Sequence, residues 1–241
     1  MTAMDNSKIA HHISENFNKE LEDIRNKVLA MGGLVEQQIE QSILALTSGD
    51  IELAEIVIRQ DNDIDELEMI IDAECTQIIA LRQPAAFDLR LLLVVLRIIN
   101  ELERIGDLAE RIAKIAIQLS TTNEGRTDQY HELKHMAGLV KEMLHASLDN
   151  FARMNIDGIT NITGSDAAVD REYASIIRQL ITQMMQDPRN ITRMLDMLWT
   201  VRALERIGDH SRYICEHLIY MVKGEDVRHL SQAQLEDIMS K

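Results

Sequence analysis

The six residues LERIGD at positions 102–107 occur again, letter for letter, at positions 204–209. The similarity extends outward from this hexapeptide. The stretch MGGLVEQQIEQSILAL at 31–46 aligns with MAGLVKEMLHASLDNF at 136–151, at an offset of 105 residues, whereas the two hexapeptides lie 102 residues apart. The chain is therefore a doubled unit of about a hundred residues, in which one copy has lost three residues.

Within each unit, apolar residues recur every three or four positions, which is the spacing of one buried helix face. Gly49 is predicted to end the first helix, Asp50 to cap the second, and Pro84 to lie in the turn before the third. Helices joined by short turns lie antiparallel, so we predict an all-α fold of two tandem three-helix bundles related by internal duplication. The first apolar stripe consists of Leu21, Ile24, Val28, Met31, Val35, Ile39, Ile43 and Leu46.

The predicted boundaries follow from the same pattern. We expect a flexible N-terminal tail at 1–16, a first bundle at 17–120, a second bundle at 129–224 and a C-terminal tail at 225–241. The polar stretch TTNEGRTD at 121–128 is the predicted linker. In the second bundle the helices are predicted at about 129–155, 166–186 and from Pro188 to about 223.

Composition agrees with a helical core and limits the function. Hydrophobic residues make up 46% of the 241 residues but aromatic residues only 3%, so Leu, Ile, Val, Ala and Met must fill the core. A net charge of −15 argues against nucleic-acid binding, which depends on clustered Lys and Arg. Cys75 and Cys215 stand alone, and no signal peptide or membrane-length apolar run is present. We therefore expect a cytoplasmic protein that reaches a membrane only through partners.

Each unit carries paired carboxylates on its second and third helices, four residues apart. Side chains at that spacing share one helix face and repel each other. If the two helices face each other, the carboxylates converge and need a counter-charge, which a cation bound by oxygen ligands supplies. His and Cys are absent from these stripes, which favours Mg, Mn, Ca or Fe over a thiolate zinc site. The predicted ligands are Asp61, Asp65, Glu103 and Asp107 in the first unit, and Asp166, Asp170, Glu205 and Asp209 in the second.

Ordinary salt bridges are the alternative explanation of these stripes. Arg111 follows Asp107 by four residues, and Arg212 follows Asp209 by three. A glycine also lies beside the carboxylates in both hexapeptides, where it costs the helix about 1 kcal/mol relative to Ala. Its presence indicates that either a ligand or a tightly packed helix approaches that turn. Trp199 falls at helical spacing with Leu and Ile and is predicted to lie in the core.

The sequence contains no Gly-rich phosphate loop, no nucleophile elbow and no recognisable Ser, His and Asp arrangement. The residues therefore favour a regulator over an enzyme. An all-helical metalloenzyme or metal store that uses the same carboxylates remains an alternative, as does a structural scaffold without metal.

Two long stretches resemble the PhoU family of phosphate-uptake regulators. They are RQPAAFDLRLLLVVLRIINELERIGDLAERIAK at 82–114 and RALERIGDHSRYICEHLIYMVKG at 202–224, and the resemblance covers residues 17–224. It implies a cytoplasmic homodimer without catalytic activity that restrains the phosphate-starvation response. The implied partners are the ATPase subunit of the phosphate ABC transporter and a membrane sensor histidine kinase.

The resemblance also implies divalent or trivalent metal ions, Mg, Mn, Fe or Zn, held in clusters by the eight paired carboxylates. Glu68 of the first unit is replaced by Tyr173 in the second, so we expect one strong and one weak metal site. Residues in the family-like stretches that we predict to contact partners are Asp88, Arg90, Arg104 and Arg206.

Overall fold

The structure, a computed structural model, describes residues 3–121 and 130–228, together with positions 230, 234, 235 and 238. Two sets of three long helices make up this part of the chain, which confirms the predicted pair of tandem three-helix bundles. The first bundle comprises α1 (Ala3–Ser48), α2 (Ile51–Arg82) and α3 (Ala86–Thr121). The second comprises α4 (Tyr130–Arg153), α5 (Ile159–Gln186) and α6 (Ile191–Lys223), with a 3₁₀ turn (Pro188–Asn190) before α6.

The predicted breaks between α1, α2 and α3 are confirmed. Gly49 adopts a φ of 71°, a left-handed conformation that suits glycine and ends α1. Asp50 caps α2 by accepting a 3.0 Å hydrogen bond from the backbone N–H of Leu53. Pro84 lies in the short turn before α3, where its missing N–H breaks no helical hydrogen bond.

Helix α5 begins seven residues earlier than the predicted start at Asp166. It starts at Ile159, directly after Gly158, whose φ is 85°. Ile159, Ile162 and Val169 are all buried, with at most 4% of each side chain exposed. This apolar face extends the helix through the polar stretch TNITGSD.

Both predicted tails are partly structured. Helix α1 begins at Ala3 and thus includes residues 3–16 of the tail predicted at 1–16, which contain no Gly or Pro to end a helix. In the predicted C-terminal tail, Val227 is 3% exposed and packs into the core. The linker predicted at 121–128 lies outside the described residues except for Thr121.

The apolar stripe of α1 lies in the core as predicted, because all eight of its residues are buried. Cys75 and Cys215 are buried and unpaired in α2 and α6. Burial, with a smaller contribution from Asp72, raises the pKa of the Cys75 thiol to about 12. No helix within the described ranges has the length and apolar character that a bilayer-crossing segment requires.

The two bundles pack against each other mainly through their third helices, and α3 is as closely packed on α6 as on helices of its own bundle. A buried polar cluster lies in this junction. Glu101 of α3 accepts a 2.6 Å contact from His210 Nδ1 of α6 and lies 3.7 Å from His217 Nε2. Burial alone would raise the pKa of Glu101, but the hydrogen bond with His210 and the nearby His217 lower it to about 2. Glu101 is therefore an ionised tie between the bundles.

Candidate cation site between the second and third helices

Three carboxylates of the first bundle form a compact group. One carboxylate oxygen from each of Asp61, Asp107 and Glu110 lies within 4.8 Å of the other two. Asp61 comes from α2 and the other two from α3, so the site depends on the two helices facing each other. Among the described His, Cys, Asp and Glu residues, these three have ligand atoms close enough together to hold one metal ion.

The sequence predicted two of the three members, Asp61 and Asp107, but missed Glu110. A signal for it was present, since Glu110 follows Asp107 by three residues and extends the stripe from Glu103 along one helix face. A search confined to four-residue spacing overlooks this position.

The other predicted ligands of the first unit, Asp65 and Glu103, border the group. Burial first, and then the negative charges of Asp107, Glu68 and Asp65, raise the pKa of Glu103 to about 7. Burial and the charge of Asp65 also raise the pKa of Asp107. Asp65 of α2 is thus near enough to Glu103 of α3 for its charge to act on that residue.

Asp61 is also held in place by a side chain of α1. Gln38 of α1, which is buried, donates a 2.9 Å hydrogen bond from Nε2 to Asp61 Oδ1. Burial raises the pKa of Asp61, and this hydrogen bond opposes the rise only in part. The Oε1 atom of Gln38 is buried without a hydrogen-bond partner among the described residues. Sequence analysis did not identify Gln38, because a search for paired carboxylates does not select a neutral amide.

The glycine beside this group is closely packed. A Cβ atom at Gly106 would lie 3.2 Å from both Asp61 Oδ1 and Gln38 Oε1. At the equivalent Gly208, the nearest atom to such a Cβ is Val169 Cγ1 at 3.6 Å, an ordinary contact. Side chains therefore approach only the first hexapeptide closely.

In the second bundle an arginine lies among the acidic side chains. Arg212 Nε is 3.2 Å from Asp166 Oδ2, and Arg212 Nη2 is 3.6 Å from Asp209 Oδ1. Burial raises the pKa of Asp166, and the charge of Arg212 opposes the rise. The predicted Asp170 lies near Glu205 and contributes to the raised pKa of that residue, after burial and Asp209. Salt bridges, the alternative to a metal site, therefore explain the acidic stripes of the second unit.

The duplication explains the difference between the two sites. At the offset of the hexapeptides, Arg212 takes the place of Glu110, and Glu216 takes the place of Lys114. Arg212 also pairs with Glu216, just as Lys114 pairs with Glu110. This exchange of charge places a guanidinium between Asp166 and Asp209 in the second group. In the first group three carboxylates lie together, and Lys114 pairs with only one of them, Glu110.

Comparison with known proteins agrees with this duplicated fold. A sequence model described as the PhoU domain matches residues 28–116 and again 133–218. The chain belongs to the PhoU family. It is 46% identical to the phosphate-specific transport system accessory protein PhoU homolog of Pseudomonas aeruginosa, over 95% of this chain and 94% of that protein. It is 43% identical to the accessory protein PhoU of Escherichia coli, over 98% of each.

Solved PhoU structures share the architecture. The crystal structure of PhoU from Pseudomonas aeruginosa superposes with a TM-score of 0.83, at 46% identity, over 87% of this chain and all of that one. The phosphate transport system regulatory protein PhoU from Streptococcus pneumoniae superposes with a TM-score of 0.80, at 31% identity, over 88% of this chain and 99% of that one.

The four residues predicted to contact partners lie in two places along α3 and α6. Asp88 is in the first turn of α3. Arg90 reaches the end of α6, because a Cβ at Gly224 would lie 2.1 Å from Arg90 Nη1. Arg104 and Arg206 are exposed and line one cleft between α3 and α6.

The donor set of the first bundle fits a hard cation. It offers only oxygen atoms, several of its acids have raised pKa values, and the unpartnered Gln38 oxygen lies beside it. Mg²⁺, Mn²⁺ and Ca²⁺ prefer such ligands. Burial is the main cause of the raised pKa values and repulsion between the acids the second, and a bound cation would offset both.

Proposed function

We propose that this chain is a regulatory accessory protein of a phosphate transport system and holds a metal cation in its first bundle. Membership of the PhoU family supports the role in phosphate transport, since close relatives carry that description. The observation that supports the cation is the convergence of Asp61, Asp107 and Glu110 within 4.8 Å. In the proposed role, the protein restrains the phosphate-starvation response when phosphate is plentiful.

The proposed mechanism is docking rather than catalysis. Without a cation, the first acidic group repels other acidic surfaces, and the pKa of the bordering Glu103 is raised to about 7 by burial and by its acidic neighbours. With a divalent or trivalent cation, the same surface accepts carboxylate or phosphoryl oxygens as further ligands. The proposed partners are the ATPase subunit of the transporter and a sensor histidine kinase.

The cation is tested by calorimetric titration of chelator-treated protein with MgCl₂ and MnCl₂. Asp61→Asn combined with Asp107→Asn should weaken binding at least tenfold, because two of the three anionic donors are lost. Asp209→Asn is the matched control, since the equivalent group of the second bundle has Arg212 as its cation. Equal affinity of the double variant and the wild type would refute the assignment.

The regulatory role is tested by co-purification of the tagged protein with the transporter ATPase from cells grown in high phosphate. Reversing the charge at Glu103 and Asp107 should reduce recovery of the ATPase and release the starvation response, because the docking surface then carries positive side chains. The matched control reverses Glu205 and Asp209. Unchanged recovery and unchanged repression in the first variant would place the docking surface elsewhere.

Metal stoichiometry separates this proposal from a metalloenzyme or metal store. An adaptor should retain a small fixed number of ions per chain and show no turnover with oxidants. Many ions per chain, or redox cycling, would favour the enzyme or store.

A further inference from the structure

A cleft of about 400 Å³ lies between α3 and α6, where the two bundles meet. Four cationic side chains line it: Arg104, Arg111 and Lys114 from α3, and Arg206 from α6. Two carboxylates, Asp107 and Glu110, also line it, and both belong to the candidate cation site. The cleft is thus positive overall in a chain whose net charge is −15. A cleft lined by several cations attracts small anions even in an acidic protein.

The duplicated hexapeptide supplies two of these cations. Arg104 and Arg206 are the same position of LERIGD in the two copies, and packing of α3 on α6 brings both to one cleft. Neither guanidinium forms a hydrogen bond or an ion pair within the described part of the chain. Both therefore keep N–H donors for a ligand, and guanidinium groups match tetrahedral oxyanions with paired hydrogen bonds.

Two further cations are held in position. The Arg111 guanidinium lies 4.9 Å above the centre of the Trp199 ring, which orients it without consuming its N–H donors. Lys114 is tied to Glu110 by an ion pair. A ligand in this cleft would therefore meet partly ordered donors, which lowers the entropy cost of binding.

We propose that this cleft binds inorganic phosphate, and that a cation held by Asp61, Asp107 and Glu110 is needed for tight binding. Two of those carboxylates line the cleft and repel an oxyanion as long as their charge is uncompensated. A bound cation cancels that repulsion and leaves the arginine charges to attract the ligand. This inference rests on the proposed cation site, and it gives the regulator a direct means of sensing phosphate.

The experiment is calorimetric titration of the full-length protein with sodium phosphate at fixed ionic strength, with EDTA or with MgCl₂. Phosphate should bind the magnesium-loaded protein at least about tenfold more tightly than the chelated protein. Arg104→Ser combined with Arg206→Ser should lower phosphate affinity at least about tenfold, the equivalent of one lost hydrogen bond to a charged group. Its affinity for Mg²⁺ should not fall, because neither arginine is a proposed ligand, and retained Mg²⁺ binding also shows that the variant is folded. The matched control is Arg59→Ser with Arg178→Ser, which removes two exposed arginines from α2 and α5.

A variant that should bind phosphate without a cation separates this inference from the proposed function. Asp107→Asn combined with Glu110→Gln removes the repelling charges, so it should bind phosphate in EDTA as the wild type does in magnesium. If the wild type binds no cation but this variant binds phosphate, the cation site fails and the phosphate site stands. If the variant binds no phosphate, or the Arg104 and Arg206 variant binds it normally, the phosphate site is refuted.

Two further ligands identify the oxyanion. Sodium nitrate, which has a single charge and a planar shape, should bind at least about tenfold more weakly than phosphate in the same buffer, because it accepts fewer charge-assisted hydrogen bonds. Equal binding would reduce the cleft to a non-specific positive surface and refute the proposal. A phosphoserine peptide that bound more tightly than phosphate would refute inorganic phosphate as the ligand.

Discussion

Glu103 and Glu205 occupy the same position of the hexapeptide and meet different charges. Glu205 Oε1 lies 3.0 Å from Arg202 Nη1, which opposes the rise in pKa caused by burial and Asp209. Glu103 lies beside Asp107 and other acids, and burial with those acids raises its pKa to about 7. At neutral pH the cation-free protein therefore holds Glu103 partly protonated, and its ionisation opposes folding.

The stability of chelator-treated protein should reflect this pKa. Because the folded-state pKa of Glu103 is about 7, above the ordinary glutamate pKa of 4.5, the folded protein binds the proton more tightly than the unfolded chain. The resulting stability is complete below about pH 4.5 and is lost as pH rises through about 7. Glu103→Gln should therefore raise the free energy of unfolding at pH 8 by about 1 kcal/mol, after allowance for solvent screening. The difference should vanish near pH 4.

Urea unfolding at the two pH values measures this effect, with Glu66→Gln on the exposed side of α2 as a control for net charge. Saturating MgCl₂ should remove the difference in free energy of unfolding between Glu103→Gln and the wild type at pH 8, because the cation stabilises the ionised wild-type site. A Glu103→Gln variant no more stable than wild type at pH 8 in EDTA would contradict the raised pKa.

The sequence identified the facing acids but not every neighbour that decides their chemistry. Four-residue spacing was enough for Asp61 and Asp107, because side chains one turn apart share a helix face. Gln38 was missed because the rotation of α1 against α2 depends on three-dimensional packing. Trp199 was predicted to lie in the core but is 48% exposed, since its ring lies under Arg111 at the surface. Helical spacing alone does not distinguish a core position from one at the edge of a bundle.

At the scale of the element, the duplicated helices α3 and α6 share a sequence pattern but differ in how tightly neighbours pack on them. The glycine of the first hexapeptide faces Asp61 and Gln38 at 3.2 Å from where a Cβ would lie. The glycine of the second has only ordinary contacts at 3.6 Å and beyond. The sequence predicted the close approach at both positions, and it occurs at one. In the second unit Met143 replaces Gln38, and Asp166, the counterpart of Asp61, pairs with Arg212.

Alanine substitutions at the two glycines should therefore have different effects. Gly208→Ala should raise the free energy of unfolding by up to about 1 kcal/mol, the gain in helix propensity of Ala over Gly. Gly106→Ala should gain less or lose stability, because the Asp61 and Gln38 side chains must shift and strain the hydrogen bond between them. Chemical denaturation of the pair measures the difference, and each variant serves as the control for the other. An equal gain at both sites would show that the first site has room for a methyl group.

At the scale of the whole molecule, the two bundles form one packed body through α3 and α6. The sequence predicted the bundles but not this junction, because hydrophobic spacing shows that a helix has a buried face without naming the helix that covers it. The polar cluster at the centre of the junction could not be predicted from the sequence either. Glu101 has Ala203 as its counterpart in the second unit, so the duplication gave no sign of a paired role.

Removing Glu101 should weaken the junction and separate the unfolding of the bundles. His210 and His217 are 3% and 6% exposed, so Glu101→Ala leaves two buried imidazoles without their shared acceptor. The expected loss is about 2 to 4 kcal/mol of stability, since each buried group left without a partner costs about 1 to 3 kcal/mol. Wild-type protein should unfold in one calorimetric transition, and Glu101→Ala in a broader or split transition at lower temperature. Glu66→Ala is the control for loss of a glutamate. A single sharp transition at the wild-type temperature would mean that apolar packing between α3 and α6 couples the bundles without this polar tie.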